Sequence, residues 1–434
     1  MQAVIMAGGK GTRLREITND EIPKPMAAIA GKPILQWQIE HLRQQGVTDI
    51  ILIIGHLGHK IREFFRNGQE YGVSIRYIEE TTPLGTAGAL SLLTPLLTEE
   101  YFFLVFGDVL FDIDLSRMVR LHQEKNAMVT LFVHPNMHPF DSDLVICDHD
   151  GYLSGFDSKH NVRNYWYHNC VNAGFYLMNR EVCRWVPENT KVALEKELLT
   201  NLINAGKRIY AYQSPEYIKD VGTVERIMYA EKELKSGFVE ARSLRHKQKA
   251  VFLDRDGTIN KKNGLVYKEE QFELEDSVVE AIRMINCSGY LAIVITNQPV
   301  VARGLCELKD VENIHMKMET LLGQNGVYLD AVRFCPHHPD KGFPDENPAY
   351  KISCDCRKPN VGLIAECAVQ FNIDLKESWM VGDTTVDIQT GVNAGTHTAL
   401  VLTGDAGNDK KYIVQPEIVC ANLQKAVEAI LRRG

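Results

Sequence analysis

Two carboxylates, Asp254 and Asp256, stand two residues apart in Asp254-Arg255-Asp256-Gly257-Thr258, directly after the apolar run Ala250-Val251-Phe252-Leu253. At a strand tip, one such carboxylate can attack phosphorus while the other delivers a proton to the leaving oxygen. An acidic β-turn is the plain alternative, but the strand before it and the Gly-Thr after it weigh against that. Downstream, Val294-Ile295-Thr296-Asn297 ends an apolar run with a hydroxyl. Arg357-Lys358-Pro359 supplies a fixed cation, and Gly382-Asp383, with Asp387 four residues on, supplies a metal-binding carboxylate.

A second set of residues lies at the other end of the chain. Gly8-Gly9-Lys10-Gly11-Thr12-Arg13 follows the apolar Ala3-Val4-Ile5-Met6-Ala7 directly. Glycines let backbone N–H groups approach phosphate oxygens, and Lys10 and Arg13 add charge. The spacing is neither a Rossmann nor a Walker A motif. Lys24 sits between Pro23 and Pro25, on a stiffened backbone that can aim its ammonium. Leu84-Gly85-Thr86-Ala87-Gly88 is a small-residue loop against which a flat base or sugar could pack. Asp108 follows Gly107 at the end of the run Phe102–Phe106, and Asp220 precedes Val221-Gly222-Thr223. Two carboxylates with few other ligands suit Mg²⁺, which keeps its waters and substrate phosphates. Taken singly, each is an ordinary turn-forming Asp.

A third set is soft. Cys335-Pro336-His337 and Cys354-Asp355-Cys356 together make four ligands suited to tetrahedral, closed, structural Zn²⁺, with His338 an alternative to His337. The intervening Pro339–Tyr350 holds little that could form a core, so a metal clip would order it. Cys356 immediately precedes Arg357 and Lys358, so the metal loop is expected to aim those cations.

These residues need rigid elements to hold them. The chain has 434 residues, 45% apolar and 24% charged, enough for two or three domains with real cores. Strand-like runs (Ile50–Gly55, Phe102–Phe106, Met128–Val133; Leu291–Thr296, Trp379–Gly382, Thr398–Leu402) alternate with helical periodicity (Ile34–Gly46, Leu115–Lys125; Val278–Gly289, Leu308–Leu322). That alternation predicts two Rossmann-like α/β domains with mostly parallel sheets, and ligands beyond the strands' carboxyl ends. Residues 1–235 form one domain, 236–248 a basic linker with the boundary near 245, and 249–434 the other. Val224–Leu234 reads as the helix before the linker and Ala421–Arg433 as a closing helix.

The net charge of −8 excludes a general nucleic-acid binder. No apolar run approaches the roughly 20 residues that span a bilayer, and the N-terminus lacks a signal-peptide pattern. Ten scattered cysteines point to a reducing cytoplasm. The expected partners are small molecules, a nucleoside triphosphate and a sugar phosphate, with no nucleic acid and no membrane; the sequence leaves room for an oligomer.

In order, the motifs of residues 1–235 resemble the sugar-1-phosphate nucleotidyltransferase family: Gly-Gly-x-Gly-Thr-Arg-Leu, Pro-Lys-Pro, Leu-Gly-Thr-Ala-Gly, Gly-Asp, Asn172-Ala173-Gly174, Glu195-Lys196 and Asp-x-Gly-Thr. The resemblance implies a GT-A-like mixed sheet. It implies that Gly8, Gly9, Gly11, Thr12, Arg13 and Lys24 hold the triphosphate, and that Gly85, Thr86 and Gly88 contact the base. Asn172, Gly174, Glu195 and Lys196 would contact the sugar phosphate, and Asp108 with Asp220 would hold Mg²⁺. A sugar-phosphate oxygen would attack the α-phosphorus, with pyrophosphate leaving.

Residues 248–425 resemble the haloacid-dehalogenase (HAD) phosphatase superfamily, which has a parallel sheet. By that resemblance Asp254 is the nucleophile, Asp256 the acid and then the base, and Thr296 and Lys358 hold phosphoryl oxygens, with Asn297 and Arg357 beside them. Asp254, Asp383 and the Asp256 carbonyl would bind Mg²⁺. A zinc loop just before Cys-Arg-Lys-Pro resembles the heptose-1,7-bisphosphate 7-phosphatases and the related histidinol-phosphate phosphatases. Pro299-Val300 replaces the usual Ser-Gly, and Thr384 replaces a frequent Lys. Together the halves imply consecutive steps. A heptose bisphosphate, α at C1, loses its 7-phosphate, and GTP then activates the heptose 1-phosphate. The alternatives are another sugar nucleotidyltransferase joined to a phosphatase of different substrate, or a sugar-nucleotide sensor with one degenerate half. The intact Asp pairs speak against the sensor.

Overall fold

Strand Gln2–Ala7 is buried along almost its whole length, as a strand covered on both faces must be. In this computed structural model, which describes residues 1–9 and 21–433, it is central to the sheet of the first of two units. Unit 1 comprises Met1–His134, Val145–Ser158 and Asn172–Arg245; unit 2 comprises Pro135–Leu144, Lys159–Val171 and the chain from His246 onward.

The unit 1 strand pairs in parallel with Asp49–Ile54 (Ala3 opposite Ile50) and with Tyr101–Phe106 (Val4 opposite Leu104). Ser74–Glu79 extends the sheet beyond Asp49–Ile54, also parallel. Val171–Asn179 joins Tyr101–Phe106 antiparallel, which makes the sheet of nine strands mixed, as the family resemblance implies. A separate ribbon pairs Val109–Asp112 with Tyr217–Asp220, antiparallel, setting Asp220 opposite Val109. Helix Ile34–Gln44 buries Ile34, Leu35, Ile39 and Leu42 at helical spacing, and Leu115–Glu124 starts at Asp114, whose carboxylate accepts the Ser116 N–H. After helix Val224–Lys235 the basic stretch does not run as free coil. It forms a short helix, Phe238–Ala241, and buries Val239, Arg242, Ser243 and Leu244.

Unit 2 is built on six parallel strands in the order Ala331–Cys335, Tyr290–Asn297, Lys249–Leu253, Trp379–Gly382, His397–Val401, Ile418–Cys420. Helices Val278–Asn286 and Leu423–Leu431 press Ala281, Ile282, Ile285, Ala426, Val427 and Ile430 into its core. Burying each large aliphatic side chain contributes about 1.5–3 kcal/mol. Helix Leu308–Gln324 meets both early segments of the unit: Gly323 lies against Pro139, the Thr320 hydroxyl accepts the Tyr167 N–H (3.0 Å) and Glu319 pairs with His168 (2.7 Å), while the Trp166 indole N–H donates to Glu269 of the turn Glu269–Gln271 (2.9 Å).

No helix among the described residues is long and apolar enough to cross a membrane. All ten cysteines are free thiols.

Candidate functional site

In unit 2 the parallel register sets Leu253 level with both Val294 and Val381. Asp254, Thr296 and Asp383 therefore leave the sheet at one edge, beyond the strands' carboxyl ends. Lys358 reaches this edge through a loop pinned by Asn297, whose Oδ1 accepts the Lys358 backbone N–H (2.9 Å) and whose Nδ2 donates to the Lys358 carbonyl (3.1 Å). The ammonium lies 2.7 Å from Asp254 Oδ1 and 2.6 Å from Asp387 Oδ1. Burial works against its charge, yet those two carboxylates hold it above the ordinary lysine range.

Asp254, Asp383 and Asp387 each offer an oxygen within 4.8 Å of the others. Burial first, then the Asp387 charge, raises Asp254, with Lys358 opposing. Burial and the Asp254 charge raise Asp383 likewise. Asp383 Oδ1 is buried without a hydrogen-bond partner. Crowded, oxygen-only, excess negative charge with a bare acceptor fits a hard divalent cation. Asp387 meets the group through Lys358. Its other oxygen accepts the Thr384 hydroxyl (2.5 Å) and N–H (3.1 Å), closing a capping box at the start of helix Thr385–Ala394.

The Asp256 carboxylate is engaged by Arg255, Gln298 and Asn260. Burial would raise it, but the Arg255 charge and these donors outweigh that and hold it below the ordinary range. Thr296 is buried, and its hydroxyl accepts from Gln298 Nε2 (3.0 Å). Arg357 donates to the His337 carbonyl (2.9 Å). Val300, in the position where the related phosphatases have the Gly of Ser-Gly, is fully buried and packs with Val301 and Val311.

Cys335, His337, Cys354 and Cys356 converge. Their sulfurs stand 3.1–3.5 Å apart, and His337 Nδ1 is 3.3 Å from Cys356 Sγ. His338 is directed elsewhere, edge-on to Phe343 and beside Arg303. Three sulfurs and one imidazole nitrogen fit a soft, tetrahedral ion.

Lys262 and Asp405 had no motif to announce them. The Lys262 ammonium bridges Asp405 (2.6 Å) and Asp383 (3.1 Å), and the Asp405 N–H donates to Asp383 (2.7 Å). They come from loops far apart in the chain, and only the fold joins them. Gln298 could have been suspected, since it directly follows Thr296-Asn297.

In unit 1, Lys24 is ion-paired with Asp108. The Val221 N–H donates to the Asp108 carbonyl (2.9 Å), which brings Asp220 alongside. Asp220 Oδ2 accepts from Arg226 (2.7 Å), while Oδ1 is buried and unpaired. A Cβ on Gly222 would lie 2.7 Å from that oxygen and 2.9 Å from Lys24 Nζ. Two carboxylates with a bare oxygen suit Mg²⁺ here too.

Asn172, Gly174 and Glu195 come together with Tyr176, which sequence reading passed over. Asn172 Nδ2 and the Tyr176 hydroxyl both donate to Glu195 Oε1 (3.0 and 2.7 Å), and the Gly174 N–H reaches Asn172 Oδ1 (3.3 Å). Glu195 lies in a π-helical turn, Leu194–Leu199, a local departure frequent at functional sites. Lys196 is exposed and outside this network. Gly85 and Gly88 face the backbone of residues 190–192: a Cβ on Gly85 would lie 2.6 Å from the Val192 carbonyl, and the Thr86 hydroxyl accepts the Leu194 N–H (2.7 Å). Their smallness therefore serves that packing. Gly8 backs on Glu80, whose carboxylate a Cβ there would meet at 2.6 Å, and Gly9 is open. Gly11, Thr12 and Arg13 lie outside the described residues.

Residues 2–237 match the family model for nucleotidyl transferases, and residues 355–426 that for HAD-hydrolase-like proteins. A D-glycero-alpha-D-manno-heptose 1-phosphate guanylyltransferase from Aneurinibacillus thermoaerophilus is 33% identical over 234 residues, covering 54% of this chain and 98% of that protein. A D-glycero-beta-D-manno-heptose-1,7-bisphosphate 7-phosphatase from Photorhabdus laumondii is 38% identical over 184 residues, 42% of this chain and 96% of that protein. A UTP–glucose-1-phosphate uridylyltransferase from Synechocystis is 33% identical over 237 residues; the chain spans 61% of its length.

Proposed function

Because the chain belongs to the nucleotidyl transferase family over residues 2–237, matches the HAD-like hydrolases over residues 355–426 and is 38% identical to a heptose-bisphosphate phosphatase over 184 residues, we propose that it is a bifunctional enzyme of nucleotide-activated heptose synthesis. It removes the 7-phosphate of a D-glycero-D-manno-heptose 1,7-bisphosphate and transfers GMP from GTP to the resulting heptose 1-phosphate. The observation that carries this reading is that one chain holds two separate carboxylate centres, each with its own lysine: Asp254 with Lys358, and Asp108 with Lys24. Ten free thiols fit work in a reducing cytoplasm.

In the phosphatase half, Asp254 attacks the 7-phosphorus while the bond from phosphorus to O7 breaks, and Asp256, which takes up a proton as the phosphate brings further negative charge against the pull of Arg255, delivers that proton to O7. Water then attacks the aspartyl-phosphate, Asp256 takes its proton, and inorganic phosphate leaves. Lys358 and Thr296 hold the phosphoryl oxygens. Asp254, Asp383 and the Asp256 carbonyl would hold Mg²⁺, which offsets phosphoryl charge. In the transferase half, an oxygen of the sugar phosphate displaces pyrophosphate from the α-phosphorus, and Lys24 neutralises charge on the oxygens. Asp108 and Asp220 would hold a second Mg²⁺ of the same use. Asn172 and Glu195 would orient the sugar, and Cys335, His337, Cys354 and Cys356 would hold a structural Zn²⁺.

Neither reaction breaks the C1–O bond, so the anomer that enters leaves in the nucleotide sugar. The phosphatase relative carries a beta name and the guanylyltransferase relative an alpha name. A fused pair must share one anomer, and we assign α, the form the guanylyl-transferring relative is named for. The test incubates the enzyme with each synthetic anomer and each NTP and identifies the products. Phosphate, pyrophosphate and a GDP-heptose from the α form are expected. Asp254→Asn should stop phosphate release and leave transfer to supplied heptose 1-phosphate intact. A clear preference for β, or efficient transfer from ATP alone, would move the assignment to an adenylyl route. Loss of both activities in folded Asp254→Asn would sink the two-site reading.

A further inference from the structure

Between the two aspartates of the phosphatase motif stands an arginine with no exposed surface. Arg255 is among the largest fully buried side chains of the protein. Burying a guanidinium is costly unless its donors are met, so its partners are informative. Nε and Nη2 donate to Asp256 Oδ1 at 3.2 and 2.9 Å, and Nη2 also reaches Asp256 Oδ2 at 3.0 Å. Nη2 meets Gln298 Oε1 at 2.9 Å, and Nη1 lies 3.2 Å from His315 Nε2. His315 is buried, and burial and then the Arg255 charge keep it neutral, so that nitrogen is an acceptor. Every arm of the fork is thus occupied.

The same carboxylate receives Gln298 Nε2 at 2.8 Å and Asn260 Nδ2 at 3.1 Å. Gln298 also donates to the Thr296 hydroxyl. The network therefore ties the proton donor to the hydroxyl proposed to hold the phosphoryl group. Arg255 itself, with no surface, cannot touch substrate.

We propose that Arg255, together with Gln298, is a positioning device that aims the Asp256 carboxyl at the leaving oxygen, and so lets the phosphatase half expel poor leaving groups such as a sugar alkoxide. This rests on the reading of Asp254 as nucleophile and Asp256 as proton donor. Arg255 meets the nucleophile only through its backbone N–H, which donates to Asp254 Oδ1 (2.7 Å) and which a substitution keeps; the cation beside Asp254 is Lys358. A residue that only held the fold would slow the first step of all substrates alike; one that aims the donor matters in that step only where the leaving oxygen needs a proton, whereas the base role of Asp256 in the second step is common to every substrate.

The wild-type chain with Mg²⁺ is first assayed on heptose 1,7-bisphosphate and on p-nitrophenyl phosphate, whose nitrophenolate leaves unprotonated. If wild type hydrolyses neither, or if Asp254→Asn hydrolyses either, the phosphatase reading itself fails and Arg255 is not the cause. Arg255→Lys keeps the charge and loses the fork; Gln298→Met keeps the shape and loses the three side-chain hydrogen bonds to Arg255, Asp256 and Thr296. Read in a single turnover at saturating substrate, so that only departure of the leaving group is timed and not the later hydrolysis of the aspartyl-phosphate, each should slow release from the bisphosphate by roughly 100-fold, the scale of general-acid catalysis, and the nitrophenolate burst by less than about 5-fold. Asp256→Asn should give the same split, and Arg255→Lys should add nothing in that background. Equal losses on both substrates, in variants whose circular dichroism matches wild type, would overturn the proposal, as would full activity on the bisphosphate. Should Arg255→Lys fail to fold, Gln298→Met decides.

Discussion

Gly222 is a residue whose importance comes from having no side chain. Its Cα faces the meeting point of Lys24 and Asp220, where an added Cβ would crowd both an ammonium and an unpaired carboxylate oxygen. Gly222→Ala should therefore lower nucleotidyl transfer by at least about 10-fold by displacing charges that act on the transition state, and leave phosphate release unchanged. Pyrophosphate release and phosphate release measured on one preparation would check this, and equal loss of both would rule it out. Carboxylates at strand ends were the most legible part of the chain: Asp254 directly follows an apolar run, Asp108 and Asp383 each follow such a run across one Gly, and Asp220 stands two residues before Gly222, so all four were singled out from sequence and lie at strand ends in the fold. Tyr176 and Lys262 were not, because each meets its partner, Glu195 or Asp383, only in the fold; Arg255 stood inside the motif, but its burial and its contacts with Gln298 and His315 are likewise made only by the fold. Gly85 and Gly88 were legible as a loop but not in what they pack against, since the partner, residues 190–192, carries no motif.

At the scale of elements, the insert between Cys335 and Cys356 has only a single short helical turn, Pro348–Tyr350, tied to the rest of the unit by bonds such as the Asn347 N–H to the Ala302 carbonyl, and a metal at its two ends would clip it further. Cys354→Ser should lose the bound zinc, measured by metal analysis as a fall from about one ion per chain towards none. Phosphatase activity should fall with it, because Lys358 follows Cys356 by two residues, whereas nucleotidyl transfer should persist. Active wild-type enzyme free of zinc would contradict this. Helix Leu115–Glu124 makes a different prediction. Its His122 is buried, with Nδ1 2.8 Å from Thr130 Oγ1 and Nε2 unpartnered. Burial pushes the imidazole down to about 4 from an ordinary 6.5. The unfolded chain therefore binds a proton that the native chain refuses, and stability is lost as pH falls from 6.5 towards 4, with a ceiling of about 3 kcal/mol. Comparing urea unfolding of wild type and His122→Gln at pH 7 and pH 4.5 tests it: the wild type's advantage should shrink at the lower pH. Helix positions were readable from apolar spacing to within a few residues, as in Leu115–Glu124 and Leu308–Gln324, because one buried face imposes the period. The antiparallel strand Val171–Asn179 was not, since strand direction is set by neighbours and leaves no mark on composition.

For the whole molecule, the strand–helix alternation was enough to reveal two α/β bodies, because each sheet needs its own covered faces. It could not reveal that Pro135–Leu144 and Lys159–Val171 belong with unit 2. Those segments contribute the Tyr167, His168 and Trp166 contacts to Thr320, Glu319 and Glu269, and Gly323 lies against Pro139, where a Cβ would come within 2.5 Å of the ring. A fragment beginning at His246 should thus be catalytically competent but melt several degrees below the corresponding transition of the full chain, since lost hydrogen bonds of this kind are worth about 1 kcal/mol each. Differential scanning calorimetry on both would show it; identical melting would mean the early segments contribute nothing to unit 2.

The same interleaving has a consequence during synthesis. The ribosome releases residues 135–171 well before the chain from His246 onward exists, so two pieces of the phosphatase body emerge inside the transferase body and must wait. Domains generally complete themselves in the order they are made. Here the first body can close its central sheet early, from Gln2 through Phe106, but the aromatic stretch around Trp166 stays without its acceptors until Glu269 and Thr320 have been translated. A stop codon placed at the apparent boundary would leave those rings permanently uncovered, and the truncated product should be the aggregation-prone half of the pair.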